Sequence, residues 1–112
     1  MYYETDTIGD VTLISVLLNK ATVEDASSFK NYLMDALEKG AVKVLIDLSR
    51  CAFVDSTFLG ALVAGLKKAS SHSSDLRLLI NKDTPSSVFV LTRMDKVFKI
   101  FSNYDEAIGS FN

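Results

Sequence analysis

Apolar residues along this chain fall into short runs whose spacing switches between that of a strand and that of a helix. Tyr3–Ile8 and Val11–Leu18 are rich in β-branched, aromatic and aliphatic residues, and Gly9-Asp10 between them suits a tight turn, so an opening β-hairpin is expected. Thr22 then stands three residues before Asp25, a helix-start pattern related to the capping box. Ala26, Phe29, Leu33 and Leu37 follow at helical spacing, and Gly40 stops the helix.

Val42–Leu48 is nearly continuous in apolar residues, as expected of a central strand covered on both faces. A loop from Ser49 to Asp55 leads into a second helix, from about Ser56 to Ser70, which the polar Ser71-His72-Ser73-Ser74 stretch breaks. Leu76–Ile80 is the next strand, and strand-helix-strand order implies a parallel pair with a right-handed crossover. Thr84-Pro85 opens a short helix to about Met94. Val97–Phe101 is expected as an edge strand, and Tyr104, Ala107, Ile108 and Phe111 share one face of a C-terminal helix.

The second helix has two contrasting faces. Helical projection sets Phe58, Leu59, Leu62, Val63, Leu66 and Ala69 toward the core, and Gly60, Ala61, Ala64, Gly65, Lys67 and Lys68 on the other side. The small residues let another helix approach closely, either a partner's or a neighbour in the same domain. Substituting Ala64→Leu separates the two: unchanged partner affinity with intact folding would remove this face from an interface.

With 112 residues the chain has the length of one domain, residues 1–112. Its 48% hydrophobic and 23% charged residues are enough to bury a core, and a net charge of -2 offers no broad field for nucleic acid. Cys51 is the sole cysteine, so no internal disulfide is expected and a reduced, cytoplasmic setting follows; its expected role is a small buried apolar residue. Met1–Asp6 has neither the basic nor the apolar part of a signal peptide. No apolar run is long enough to insert in a membrane.

Catalytic chemistry finds little to stand on. Ser56 with His72 as its base would be separated by 16 residues of helix, about 24 Å at 1.5 Å per residue, too far for a hydrogen bond. One His and one Cys in separate loops do not make a zinc site, and Asp47 with Asp55 is only a partial oxygen shell, so no metal and no cofactor are expected. These aspartates suit strand-end and capping roles. No phosphate loop or dinucleotide fingerprint is present, which assigns any ATP to a partner.

The segment Val54-Asp55-Ser56-Thr57-Phe58-Leu59-Gly60 places polar residues where a loop enters an apolar helix. Its bland account is capping, which Asp, Ser and Thr do routinely. A helix start also tolerates an anion, so a phosphate on Ser56 would leave the fold intact.

Together, Leu45-Ile46-Asp47-Leu48 and Phe53–Gly60 resemble the signature of the STAS family, which takes its name from sulfate transporters and anti-sigma factor antagonists. The resemblance covers nearly the whole chain and implies an α/β fold of the STAS (SpoIIaa-like) type: a central mixed, mostly parallel sheet with an N-terminal hairpin and about four helices packed on it. It further implies a non-enzymatic anti-sigma factor antagonist. The dephosphorylated domain binds an anti-sigma factor with serine kinase activity, and phosphorylation of Ser56, with Thr57 as alternate acceptor, switches it off until a phosphatase acts. The implied partner surface is Lys20, Thr22, Asp55, Ser56, Thr57, Phe58, Gly60, Ala61 and Ala64. Homodimerisation is left open, and a subunit of a lipid-transport ATPase complex or a stressosome-like scaffold are the alternatives. Two departures stand out. The family's Gly-acidic-x-Asp pattern is here Asn19-Lys20-Ala21-Thr22, and its glycine two places after the serine is Phe58. Lys20 reverses a local charge, which would change association rate and partner choice.

Overall fold

A computed structural model of the chain describes residues 2–81, 89 and 92–112. The strands are β1 (Tyr3–Ile8), β2 (Val11–Val16), β3 (Lys20–Ala21), β4 (Lys43–Leu48), β5 (Phe53–Val54), β6 (Asp75–Ile80) and β7 (Ile100–Phe101). Between them run α1 (Val23–Glu38), α2 (Ser56–Ser71), a 3-10 turn at Met94–Lys96 and, after β7, α3 (Tyr104–Gly109).

Five strands form one sheet in the order β1-β2-β4-β6-β7. The opening hairpin is antiparallel and turns at Gly9, whose φ of +62° favours glycine. Every other neighbouring pair is parallel, including the β4–β6 pair expected from strand-helix-strand order. The near-continuous apolar run of β4 sits in the middle. Register sets Ile14 beside Ile46 and Ile46 beside Leu78, so all three face one side; Leu13, Leu45 and Arg77 make the matching row on the other.

The first side receives α1 and α2. Phe29, Leu33 and Leu37 of α1 join Phe58 and Leu62 of α2 over Ile14, Val44, Ile46 and Leu78, with Phe89 buried among them. The α1 start is built as its sequence predicts: the Thr22 backbone N–H donates to the Asp25 carboxylate at 3.2 Å. Its end is too, since Gly40 has φ +102° and donates to the Leu37 carbonyl.

On the other side, Ala107 of α3 and Phe111 cover Val11, Leu13, Leu45 and Leu79. Arg77 is the one buried charged or polar residue among the described residues. Its guanidinium donates to the Asp75 carboxylate and to the Ser110 carbonyl, both at 2.6 Å, and lies 4.5 Å from the centre of the Phe111 ring. A buried cation needs partners of this kind, and these tie the C-terminal segment down.

Several boundaries differ from expectation. β2 ends at Val16 rather than Leu18, and β4 begins at Lys43, where its pairing with both neighbours starts. The last strand is cut to Ile100–Phe101, since the Phe98 N–H turns back to the Met94 carbonyl at 2.8 Å. Three α-helices and the 3-10 turn are seen among the described residues. The helix expected from Thr84-Pro85 toward Met94 falls largely outside them.

Candidate partner-binding site

Two very short strands shape the site. β3 and β5 pair in parallel, Lys20 beside Phe53 and Ala21 beside Val54. Asn19 accepts from the Ala52 N–H at 2.7 Å, and Ala21 from the Asp55 N–H at 3.0 Å. Alternation turns Ala21 and Val54 into the core and leaves Lys20 and Phe53 outside. Because β3 leads into α1 and β5 into α2, this pairing brings the two helix starts side by side.

Asp55 fastens them together. One carboxylate oxygen accepts from the Phe58 N–H at 2.8 Å, capping α2, and the other accepts from the Val23 N–H at 2.9 Å, in the first turn of α1. A single side chain thus satisfies orphan donors of two helices.

Ser56 and Thr57, the first two residues of α2, are both exposed. The Ser56 hydroxyl makes no hydrogen bond among the described residues, so it can be modified without dismantling any contact. Further along, Ala26, Ser27 and Lys30 of α1 face Thr57, Gly60, Ala61 and Ala64 of α2 across a shallow groove of about 300 Å³. Ser56 immediately precedes Thr57, one of the residues that line it.

The expected partner residues separate accordingly. Lys20, Thr22, Asp55, Ser56 and Thr57 meet at one end of the molecule, with Thr22 half-buried as the N-cap of α1. Gly60 and Ala64 line the groove, and Ala61 forms its nearly buried floor. Phe58 does not belong to the surface: it is fully buried, its ring 4.8 Å from that of Phe29. The predicted outer face of α2 also needs correction, since Gly65 is buried against α1. A Cβ there would lie within 2.2 Å of a Leu33 methyl. The small residues therefore serve both purposes, Gly65 for close packing of α1 and Gly60 with Ala64 for an open groove. The α1 side of the groove was not foreseen, because only the tertiary pairing of helix starts brings Ala26, Ser27 and Lys30 there.

Other chemistry is poorly served. Ser56 opens α2 and His72 caps its far end. Among the described residues no group of three or more His, Cys, Asp or Glu is placed to hold a metal ion. Asp47 accepts from the Ser49 N–H at 2.8 Å, a strand-end role. Burial, reinforced by Asp47 and Asp25, pushes the Cys51 thiol up to about 11, so it packs rather than attacks. A roomier cleft of about 590 Å³ between β1, β2 and the second half of α1 contains no residue of the Ser56 segment. No helix among the described residues is long and apolar enough to cross a membrane.

Residues 2–107 match the family model of the STAS domain. A Thermotoga maritima protein named "Putative anti-sigma factor antagonist" is 31% identical over 102 residues, which span 90% of each chain. A crystal structure under the same description, also from Thermotoga maritima, is 30% identical and superposes with a TM-score of 0.84, covering 96% of this chain and 92% of that one. Bacillus SpoIIAA in its phosphorylated form is only 16% identical but shares the fold, with a TM-score of 0.71 over 98% of this chain and 99% of that one.

Proposed function

This chain belongs to the STAS domain family, and we propose that it acts as a non-enzymatic anti-sigma factor antagonist, one domain over residues 1–112, switched by phosphorylation of Ser56. Dephosphorylated, it binds an anti-sigma factor with serine kinase activity in the cytoplasm and so frees a sigma factor. Phosphate on Ser56 ends that contact, and a phosphatase restores it. Its relative from Thermotoga maritima carries the antagonist name, and a fold neighbour has been solved in a phosphorylated form.

The observation that carries this function is the placement of Ser56, an exposed hydroxyl with no hydrogen bond among the described residues, in the first turn of α2 and next to Thr57 of the inter-helix groove. A phosphate there gains from the helix dipole and nearby N–H groups, so the fold tolerates it. It also adds a charge of about -1.5 to -2 where a partner must sit, so the contact does not. The Asp55 clasp holds the two helix starts together through bonds that do not involve Ser56, so charge rather than shape is the expected signal.

The test is phosphorylation in vitro by the cognate anti-sigma kinase with ATP, followed by site mapping. Phosphate on Ser56, lost in Ser56→Ala, is the expected result. Continued labelling of Ser56→Ala at Thr57 would move the acceptor by one residue, and no labelling of the wild type would remove the switch.

A further inference from the structure

β1 is the outermost strand of the sheet on the hairpin side, and no strand among the described residues pairs with its outer edge. It is six residues long and free of bulges, its register with β2 running unbroken from Tyr3 beside Val16 to Ile8 beside Val11. The Leu17 N–H donates to the Tyr2 carbonyl at 2.7 Å. Bonded and unbonded pairs alternate from there, so the backbone groups of Tyr3, Thr5 and Thr7 point away from β2. Such an edge is a template for another strand; of its usual guards, a short length, a bulge, proline or charge, β1 has charge alone.

The two faces of this edge differ. Glu4 and Asp6 are exposed on the α3 side of the sheet, beside Ser15 and Leu13 of β2, and neither carboxylate has an ion pair among the described residues. On the α1 side, Thr5 and Thr7 line the 590 Å³ cleft together with Tyr32, Ala36 and Ala41. Lys39, also on its wall, is held by Asp35 at 2.9 Å. A strand added along β1 turns one alternate set of side chains into that cleft and the other set toward Glu4 and Asp6.

We propose that the β1 edge docks an extended basic segment of another protein, with Lys or Arg opposite Glu4 and Asp6 and apolar side chains between them entering the cleft. Charge selects this occupant. A second copy of the chain is disfavoured, because antiparallel pairing of two β1 strands about Thr5 sets Glu4 against Asp6 twice, and like charges directly opposite are destabilising. The cleft contains no residue of the Ser56 segment, so this docking is independent of the switch proposed above.

The probe is the peptide Val-Lys-Val-Lys-Val, titrated into the isotope-labelled full chain and followed by NMR. Binding with slowed amide exchange at Tyr3, Thr5 and Thr7 is expected. Only one alternate set of peptide N–H groups can face β1, so of two N-methylated peptides, one methylated on the valines and one on the lysines, one should fail and the other should bind. Glu4→Gln with Asp6→Asn, which keeps the side-chain shapes, should weaken binding on the order of tenfold at low salt with an unchanged melting temperature. A Val-Glu-Val-Glu-Val peptide should not bind. No binding of the basic peptide, protection at other residues only, equal effects of the two methylations, or full affinity in the double variant would each overturn the proposal. Self-association of the chain without peptide that protects the same three amides would overturn it too, by making a second copy the occupant.

Discussion

Replacing Asp55 with alanine removes two hydrogen bonds that hold different helices. The bond to the Phe58 N–H, at 2.8 Å, is a helix cap, worth about 1 kcal/mol. The bond to the Val23 N–H, at 2.9 Å, spans 32 positions of sequence and adds about 1 kcal/mol, the value of an ordinary hydrogen bond, because exposure screens the charge of the acceptor. A loss of about 2 kcal/mol should lower the melting temperature by roughly 8 °C at about 4 °C per kcal/mol. Asp55→Asn keeps one acceptor oxygen and should lose about half as much. Urea unfolding should show the midpoint falling with an unchanged slope. Amide exchange adds the distinctive mark, because faster exchange at Val23 reports that a residue before α2 was holding α1. A loss below about 0.5 kcal/mol, or unchanged protection at Val23, would refute the clasp.

Other outcomes follow from single positions. Gly65→Ala should destabilise by about 1 kcal/mol, because crowding Leu33 outweighs the gain in helix propensity, yet in a Leu33→Ala background the same change should stabilise by a similar amount. Thermal melts of the four combinations decide this. Cys51 has its folded-state pKa raised to about 11, so its contribution to stability is whole below about pH 8.5, the unfolded value, and is lost as pH rises through the folded one. Urea midpoints should therefore fall more steeply between those limits for wild type than for Cys51→Ala. Lys20→Glu, on the exposed side of β3, should change the association rate with the anti-sigma kinase several-fold, most at low salt, with little effect on stability. Equal rates at all ionic strengths would take Lys20 out of the contact.

Much of the fold is legible along the chain because local signals agree with long-range ones. Gly9 turns the hairpin, Thr22 and Asp25 start α1, Gly40 ends it, and the apolar run at Val44–Leu48, broken only by Asp47, marks the middle of the sheet. What is hidden depends on contacts between distant residues. Two-residue strands such as Lys20–Ala21 and Phe53–Val54 have no periodicity to detect, and only their pairing reveals that Asp55 serves two helices. Helical projection separates apolar from small positions, but it cannot tell that Gly65 packs against Leu33 while Gly60 stays open. Phe58 shows the limit of carrying a role across by position. Where the family has glycine near the serine, this chain has an aromatic ring, and the ring leaves the surface for the core beside Phe29. Thr22, where the family has an aspartate, holds the N-cap position of α1. Arg77 reads as a polar interruption of an apolar strand, and only the return of the C-terminal segment explains it.

On the proposed function, charge on Ser56 decides whether this chain holds the anti-sigma factor. The most direct measurement is capture from the native cell with wild type, Ser56→Ala and Ser56→Glu as baits, with bound proteins identified by mass spectrometry. An anti-sigma kinase held by wild type and Ser56→Ala but lost by Ser56→Glu is the predicted result. The same partners on all three baits would contradict it and reduce Ser56 to the first residue of a helix.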